Sequence, residues 1–225
     1  MPLPTLIRPA RPEDLTEIGH LLALAFDEPV TRWLVPDPAR RPVVMPRFFA
    51  AVAGDALATG TVDLLCDAHN GYPFAAAVWF DHTRPTGTGL APGHEPDDER
   101  WERIFGAELD RWEIMDGAMA RAHHPGPHWY LMCVGVRPQL QGQGLGSRLL
   151  THRHTRLTSD TYLEATTPDS RRLYTRLGYA TLGELPLPAG PTMWPMLRPD
   201  DVPVEVDVDV DLSLPARRPV PTRVW

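Results

Sequence analysis

Apolar and polar residues follow two different periods along the chain, and these periods predict its helices and strands. After Pro12, apolar residues recur every three or four positions, as on one face of a helix, and the same spacing returns from Trp101 to Met119. The segment DPARRPVVMPRFFAAVAG predicts a further helix, interrupted by proline and ending near Gly54. Short apolar runs between turn residues predict strands. Their sequences are LIRP, TVDLLCD, YPFAAAVWF, HWYLMCVGV, TYLEA, YATLGEL and TMWPML.

The order of these elements predicts the fold class. The first half of the chain holds a hairpin signal at Asn70-Gly71, whereas strands alternate with helices in the second half. In that half, one helix runs to about Leu157 and another, SRRLYTRL, is stopped by Gly178. Residues 83–99 carry proline, glycine and acidic residues and are expected to form a loop. We expect an α/β protein with a mixed central sheet flanked by helices.

The C-terminal segment differs from the rest of the chain. In VEVDVDVDLSL, every even position from Val204 to Leu214 is apolar and every odd one is polar. This period of two predicts a strand with one dry face and one acidic face, and a disordered acidic tail is the alternative. We therefore divide the chain into a domain over 1–198 and a strand-like C-terminal extension over 199–225. The apolar face would have to be buried, and a sheet edge of the same domain or of a second copy in a homodimer could bury it.

A glycine-rich segment, VGVRPQLQGQGLGSRLL, links a predicted strand to a predicted helix at 134–150. Bare backbone N–H groups in such a loop can approach a phosphate, and the helix N-terminus favours an anion. A Walker A loop requires lysine, which this chain lacks altogether. A dinucleotide fingerprint requires G-x-G-x-x-G directly after the strand, although Glu164 lies near the expected position of its ribose-binding acid. A tight turn without a ligand is a further alternative.

Two motifs together indicate a family. Gln141-x-x-Gly144-x-Gly146 follows V-x-V-x-P and precedes an amphipathic helix, and SRRLYTRLGY follows at 170–179. The pair resembles the GNAT superfamily of N-acetyltransferases. Over roughly residues 5–198 the likeness extends to the relatives of puromycin N-acetyltransferase. It departs at 83–123, where a wall of the acceptor pocket is expected, and after Pro199.

The resemblance implies that acetyl-CoA is the cosubstrate. The loop would hold its pyrophosphate, and strand HWYLMCVGV would pair with its pantetheine arm. An N–H near Val134 would face the thioester oxygen and stabilise the oxyanion. Arg137 and Arg148 could add positive charge, or could be solvated surface residues. The implied coenzyme-binding residues are Val134, Val136, Gln141, Gly142, Gln143, Gly144, Leu145, Gly146 and Ser147.

The resemblance also implies a general acid, Tyr174, which would face the coenzyme sulfur. A base is needed because an alkyl amine has a pKa near 10.4 and is almost fully protonated at pH 7. Strand WYLMCVGV carries no carboxylate, so Glu164 on the next strand is the first candidate and His128 the second. The missing carboxylate suggests a less basic acceptor, such as an α-amino group of pKa about 8.

Composition and net charge narrow the functional classes to which this protein could belong. The 225 residues carry a net charge of −7, which argues against broad nucleic-acid binding, and no apolar run has the length of a membrane span. Two cysteines, Cys66 and Cys133, make no disulfide framework, and the first residues contain no apolar signal core. We expect a soluble cytoplasmic protein. In HHPGPH, His123, His124 and His128 lack paired acids or thiols, so no metal site is predicted.

These observations lead to one functional expectation. The chain is expected to move an acetyl group from acetyl-CoA to a primary amine of a small molecule, by direct attack in a ternary complex. An aminoacyl or aminonucleoside antibiotic is one such amine, acetylated for self-resistance or tailoring. The alternatives are a protein acetyltransferase acting on an N-terminus or a lysine, and a non-catalytic regulator that binds acyl-CoA.

Overall fold

The computed structural model describes residues 4–84 and 99–204, and these residues form a mixed sheet with helices on both faces. The strands are β1 (Thr5–Pro9), β2 (Gly60–Asp67), β3 (Pro73–His82), β4 (His128–Val136), β5 (Thr161–Ala165), β6 (Ala180–Thr181), β7 (Leu185–Pro186) and β8 (Thr192–Arg198). The helices are α1 (Leu15–Ala25), α2 (Pro29–Leu34), α3 (Arg41–Thr59), α4 (Glu99–Phe105), α5 (Leu109–Ala122), α6 (Leu145–His154) and α7 (Pro168–Arg176).

The strands lie in the order β1-β2-β3-β4-β5-β8-β6, and β7 pairs with β8 off this path. Strands β4 and β5 are parallel, and the other described pairs are antiparallel. The connection between the two parallel strands contains α6, as a parallel crossover requires. The prediction of an α/β fold with a mixed sheet flanked by helices is confirmed.

Helices cover both faces of the sheet, which is why its central strands are apolar on both sides. On β3, Ala76 and Val78 join the core beneath α1 and α3, while Ala77 and Trp79 join the core beneath α6. All four side chains are fully buried. A two-sided core explains why the sequence shows β3 as a continuous apolar run rather than as an alternation. None of the helices in 4–84 and 99–204 has the length and hydropathy to cross a bilayer.

The structure corrects two predictions about helices and adds one helix that was not predicted. Helix α3 passes Gly54 and ends at Thr59, because its buried face continues through Ala56 and this burial offsets the roughly 1 kcal/mol cost of a helical glycine. The helix predicted from Trp101 to Met119 is two helices, since Gly106 has a φ of +54° and interrupts the helix. Helix α2 was not predicted at all.

The strand predicted over YATLGEL is also corrected, because it forms two pieces, β6 and β7, each two residues long and each paired with β8. Two other predictions lie mainly outside the described residues. These are the loop over 83–99, of which 85–98 fall outside, and the strand from Val204 to Leu214, of which only Val204 is described. The division at residue 198 stays a prediction.

Candidate active site

The central parallel strands open where they approach the glycine loop. Strands β4 and β5 pair only at Trp129 with Thr161 and at Tyr130 with Tyr162, and then diverge. Opposite β3, the register of β4 shifts so that Met132 is the extra residue of a β-bulge. The N–H and C=O groups of β4 beyond Tyr130 thus have no partner on β5, and an extended ligand could pair with this free edge.

A pocket of about 520 Å³, including its open mouth, lies beside this opening. Its lining is mainly methionine and phenylalanine, with Cys133 from β4, and two carboxylates, Glu28 and Glu164, interrupt the apolar wall. An apolar cavity with a few polar groups is the usual form of a small-molecule site. The methionines are Met45, Met115, Met119, Met132 and Met193.

Glu164 lies on β5 and points into the pocket. The hydroxyl of Tyr130 donates a hydrogen bond of 2.8 Å to Glu164 Oε2, and the same hydroxyl oxygen lies 3.3 Å from Met132 Sδ. Burial, with the adjacent Glu164 charge, raises the pKa of Tyr130 well above its ordinary value, so the phenol stays protonated and keeps donating. The sequence prediction places Glu164 near β4, and the structure brings it to the pocket with a fixed hydrogen-bond partner.

Glu28 supplies the second carboxylate. It precedes α2, and burial raises the pKa of its carboxyl group, an effect that the side chain of Thr166 partly opposes. Its Oε1 atom is buried without a hydrogen-bond partner among the residues that the structure describes. A buried acceptor left unpaired costs about 1–3 kcal/mol, so a donor brought by a ligand would be stabilised here. No sequence pattern pointed to Glu28, because α2 is a single short helix of six residues.

The glycine loop has the backbone that its sequence demands. Gly142 and Gly144 both have φ of +75°, a left-handed conformation that side chains rarely adopt, although space around each is open. Gly144 is the N-cap of α6 and accepts the N–H of Arg148. Within the described chain no side chain caps this helix. The N–H groups of Leu145, Gly146 and Ser147 therefore lie at a helix N-terminus that can hold an anion.

Side chains around the loop brace it. Gln141 Nε2 donates to the carbonyl of Val136 at 3.0 Å, which ties the loop to the end of β4.

Arg137 donates to the carbonyl of Pro73 at 2.8 Å, pairs with Glu17 and lies over the ring of Tyr72. Arg148 donates to Thr5 Oγ1 at 2.5 Å. Both arginines thus have protein partners, and neither is the solvated surface residue that was one of the two expectations.

Tyr174 is placed by α7, which begins with a capping box. Thr167 accepts the N–H of Ser170, and Ser170 accepts the N–H of Thr167. The ring of Tyr174 is buried, and its centroid lies 5.8 Å from that of Tyr179. Burial, with smaller contributions from Tyr179, Glu28 and Cys133, raises its pKa well above the ordinary value.

Two further candidates from the sequence are located by the structure. Cys133 lines the pocket as a buried free thiol, and burial raises its pKa far above that of an activated cysteine. This agrees with a packing residue and not with a nucleophile. His128, the second candidate base, lies at the start of β4 away from the pocket lining, where burial lowers its pKa.

Comparison with known proteins identifies the family. The model of the acetyltransferase (GNAT) domain matches residues 100–181. The structure of histone acetyltransferase HPA2 and related acetyltransferase from Corynebacterium glutamicum is 30% identical, with a TM-score of 0.67, and the match covers 91% of this chain and 100% of that one. Arylalkylamine N-acetyltransferase 2 from Aedes aegypti shares the fold at 14% identity, with a TM-score of 0.59 and coverage of 88% and 99%. The 30% identity to the Corynebacterium glutamicum protein extends over nearly all of both chains, which shows that the two belong to one family. The chain belongs to the GNAT family of acetyltransferases.

Proposed function

We propose that this protein acetylates a primary amine of a small molecule, with acetyl-CoA as the acetyl donor. The observation that carries the proposal is the pair of carboxylates, Glu28 and Glu164, in an otherwise apolar pocket beside the open edge of β4. A buried carboxylate is costly unless a cation or a donor meets it, and Oε1 of Glu28 has no such partner among the described residues. An amine supplies both, as an ammonium ion on arrival and as an N–H donor after losing a proton.

Three parts of the protein would each bind a different part of acetyl-CoA. The N–H groups of the glycine loop and the N-terminus of α6 would hold the pyrophosphate, as anions are held at helix N-termini. The residues proposed for this role are Gln141, Gly142, Gln143, Gly144, Leu145, Gly146 and Ser147. The free edge of β4 from Val134 to Val136 would pair with the pantetheine arm, and an N–H near Val134 would stabilise the oxyanion.

Glu164 acts as the proposed general base, directly or through water. It takes a proton from the ammonium group and releases it to water. The neutral nitrogen attacks the thioester carbonyl carbon and forms the C–N bond, and the C–S bond breaks. The second nitrogen proton leaves through water, which restores the proton that Tyr174 gives to the sulfur. The hydrogen bond from Tyr130 fixes the carboxylate of Glu164, and Glu28, the second pocket carboxylate, would hold the amine. Tyr174 donates to the departing thiolate, whose pKa of about 8.5 makes it a tolerable leaving group even without full proton transfer.

The pocket wall favours an amine attached to an apolar body. Methionine side chains adapt their shape and make favourable contacts with aromatic rings, so a flat or aromatic substituent would be accommodated. A weakly basic α-amino group remains the preferred acceptor, because a larger fraction of it is neutral at pH 7. Aminoacyl and aminonucleoside antibiotics combine both properties, and we propose them as the first acceptors to test.

A thiol-release assay tests the proposal with a panel of amines of graded pKa and graded apolar size. We expect turnover to be greatest for apolar α-amines. We also expect Glu164→Gln to lower kcat by about 10²–10⁴-fold, the range of general-base effects. Glu28→Gln should mainly raise the KM of the amine. Glu102→Gln, on the exposed surface of α4, is the matched control and should leave both constants unchanged.

Two outcomes would favour the alternatives. Turnover of peptides or proteins but of no free amine would indicate a protein acetyltransferase. Binding of acetyl-CoA without thiol release from any acceptor would indicate a non-catalytic regulator.

A further inference from the structure

Three histidines from separate elements meet at the end of the sheet opposite the glycine loop. His82 ends β3 and His128 begins β4, and the two are direct partners in the antiparallel register. His123 is the C-cap of α5 and approaches from the helix side. Chain segments far apart in sequence thus deliver three imidazoles to one point, and His128 among them is fully buried.

The ring nitrogens of these three histidines lie close to one another. Nε2 of His123 lies 3.0 Å from Nδ1 of His82 and 3.0 Å from Nε2 of His128. All three of these atoms lie within 4.8 Å of one another. Imidazoles bound to one tetrahedral zinc ion, with Zn–N distances of about 2.0–2.1 Å, hold their nitrogens at a similar spacing of about 3.3 Å.

A neutral imidazole carries one N–H group and one lone pair, which limits how these three rings can pair with one another. Nδ1 of His128 lies 2.7 Å from the carbonyl of Gly126, so it carries the ring proton and donates. Nε2 of His128 therefore presents a lone pair to His123. Nε2 of His123 can donate to that lone pair, but then it cannot also accept from His82. A cation placed among the three nitrogens satisfies three lone pairs together.

We propose that His82, His123 and His128 form a binding site for one divalent transition-metal ion of the zinc class, with an open fourth position for water. Imidazole nitrogen is a preferred ligand of such ions. The bond from His128 Nδ1 to the Gly126 carbonyl is the outer contact that usually fixes a ligating histidine and its tautomer. This departs from the sequence analysis, which predicted no metal site because the histidines of HHPGPH lack paired acids or thiols. The third ligand, His82, comes from β3.

The ion would fasten the end of α5 to the sheet. The ring centroid of His123 lies 4.9 Å from those of both Tyr130 and Tyr162, so a fixed His123 would also restrain the tyrosine that contacts Glu164. The expected consequence is a more stable protein when the ion is bound, because a ligand that binds only the folded state shifts unfolding to higher temperature. The metal site does not depend on the proposed acetyl transfer.

Zn²⁺ and Co²⁺ are the probes, used on tag-free, chelator-treated full-length protein. We expect one Zn²⁺ per chain in isothermal titration, a melting temperature that rises with Zn²⁺ concentration, and visible absorption of a nitrogen-coordinated Co²⁺ ion. His123→Gln and His82→Gln should each lower the affinity at least tenfold and remove the Co²⁺ band. His69→Gln, in the exposed β2–β3 turn, is the control and should bind like the wild type.

Two results would overturn the metal-site proposal. Failure of the wild-type protein to bind either ion would overturn it and leave a hydrogen-bonded histidine cluster. Binding that persists unchanged in His123→Gln and His82→Gln would place the metal elsewhere and would overturn it as well. Two ligands are varied separately because both are only half-buried, so at least one variant is expected to fold.

Discussion

His154 should make the stability of this protein depend on pH, and the dependence is predicted in both sign and size. The side chain lies on α6, the helix that begins at the glycine loop. It is buried, its Nε2 lies 2.9 Å from the Tyr179 hydroxyl, and its ring packs edge-on against Trp79. Burial, with a smaller effect of Arg198, lowers its pKa from 6.5 to about 3. His154 is therefore neutral in the folded protein near pH 7.

The sign follows from comparing the folded and unfolded states. The unfolded chain binds a proton at His154 more tightly than the folded protein does, so acid favours unfolding. The stabilisation is complete above the unfolded pKa of 6.5 and is lost as the pH falls toward the folded value of about 3. Between pH 7 and pH 4.5, this one group should remove about 2–3 kcal/mol of unfolding free energy. For a chain of this size the change corresponds to roughly 5–10 °C in Tm.

Urea unfolding of the wild type and of His154→Gln at both pH values measures the effect. Glutamine keeps a hydrogen-bonding group for Tyr179 but cannot titrate. We expect the variant to be less stable at pH 7 and to lose about 2–3 kcal/mol less than the wild type on acidification. Other titrating groups are common to both proteins and cancel in the difference. An equal loss in the two proteins would refute the reasoning and show that His154 is not held neutral by burial.

Four further predictions concern the site and the C-terminal segment. Gly144→Val should raise the Kd of acetyl-CoA at least tenfold in calorimetry, because valine at a φ of +75° strains the loop and obstructs its N–H groups. Normal binding by a folded variant would contradict the assigned role of the loop. Tyr174→Phe should lower kcat by roughly ten- to ten-thousand-fold without changing acetyl-CoA binding, and an unchanged rate of the chemical step would remove this tyrosine from the mechanism. Glu28→Gln should raise the unfolding free energy at pH 8 but not at pH 4, since burial raises the pKa of this carboxyl group and its ionised form destabilises the fold. A gain of the same size at both pH values would contradict that cause. Truncation after Val204 should lower the melting temperature or change the oligomeric state seen in gel filtration, and a shortened protein that keeps both would show that the period-two pattern does not form a buried strand.

Local patterns in the sequence were sufficient to predict most of the fold and the backbone of the glycine loop. The hairpin at Asn70-Gly71, the apolar strand β4 and the glycine loop each depend on neighbours within a few residues, so short-range rules apply. The left-handed backbone at Gly142 and Gly144 is such a case, because only glycine adopts it without strain. Tyr174 came instead from the family resemblance, through a motif on one helix, and its role stays a prediction.

Packing against segments distant in sequence determined the features that local sequence rules did not predict. Helix α3 continues past Gly54 because its far turn packs into the core, a gain that no local propensity contains. Glu28 reaches the pocket only because tertiary packing brings the start of α2 to the same cavity as β4 and β5. His82 meets His128 because an antiparallel register joins the two strands, and His123 arrives from the end of α5. Side chains that are 41 residues apart in the chain meet at hydrogen-bonding distance there. Such sites are set by tertiary packing, because sequence spacing carries no record of which strands will pair or which helix will cover them.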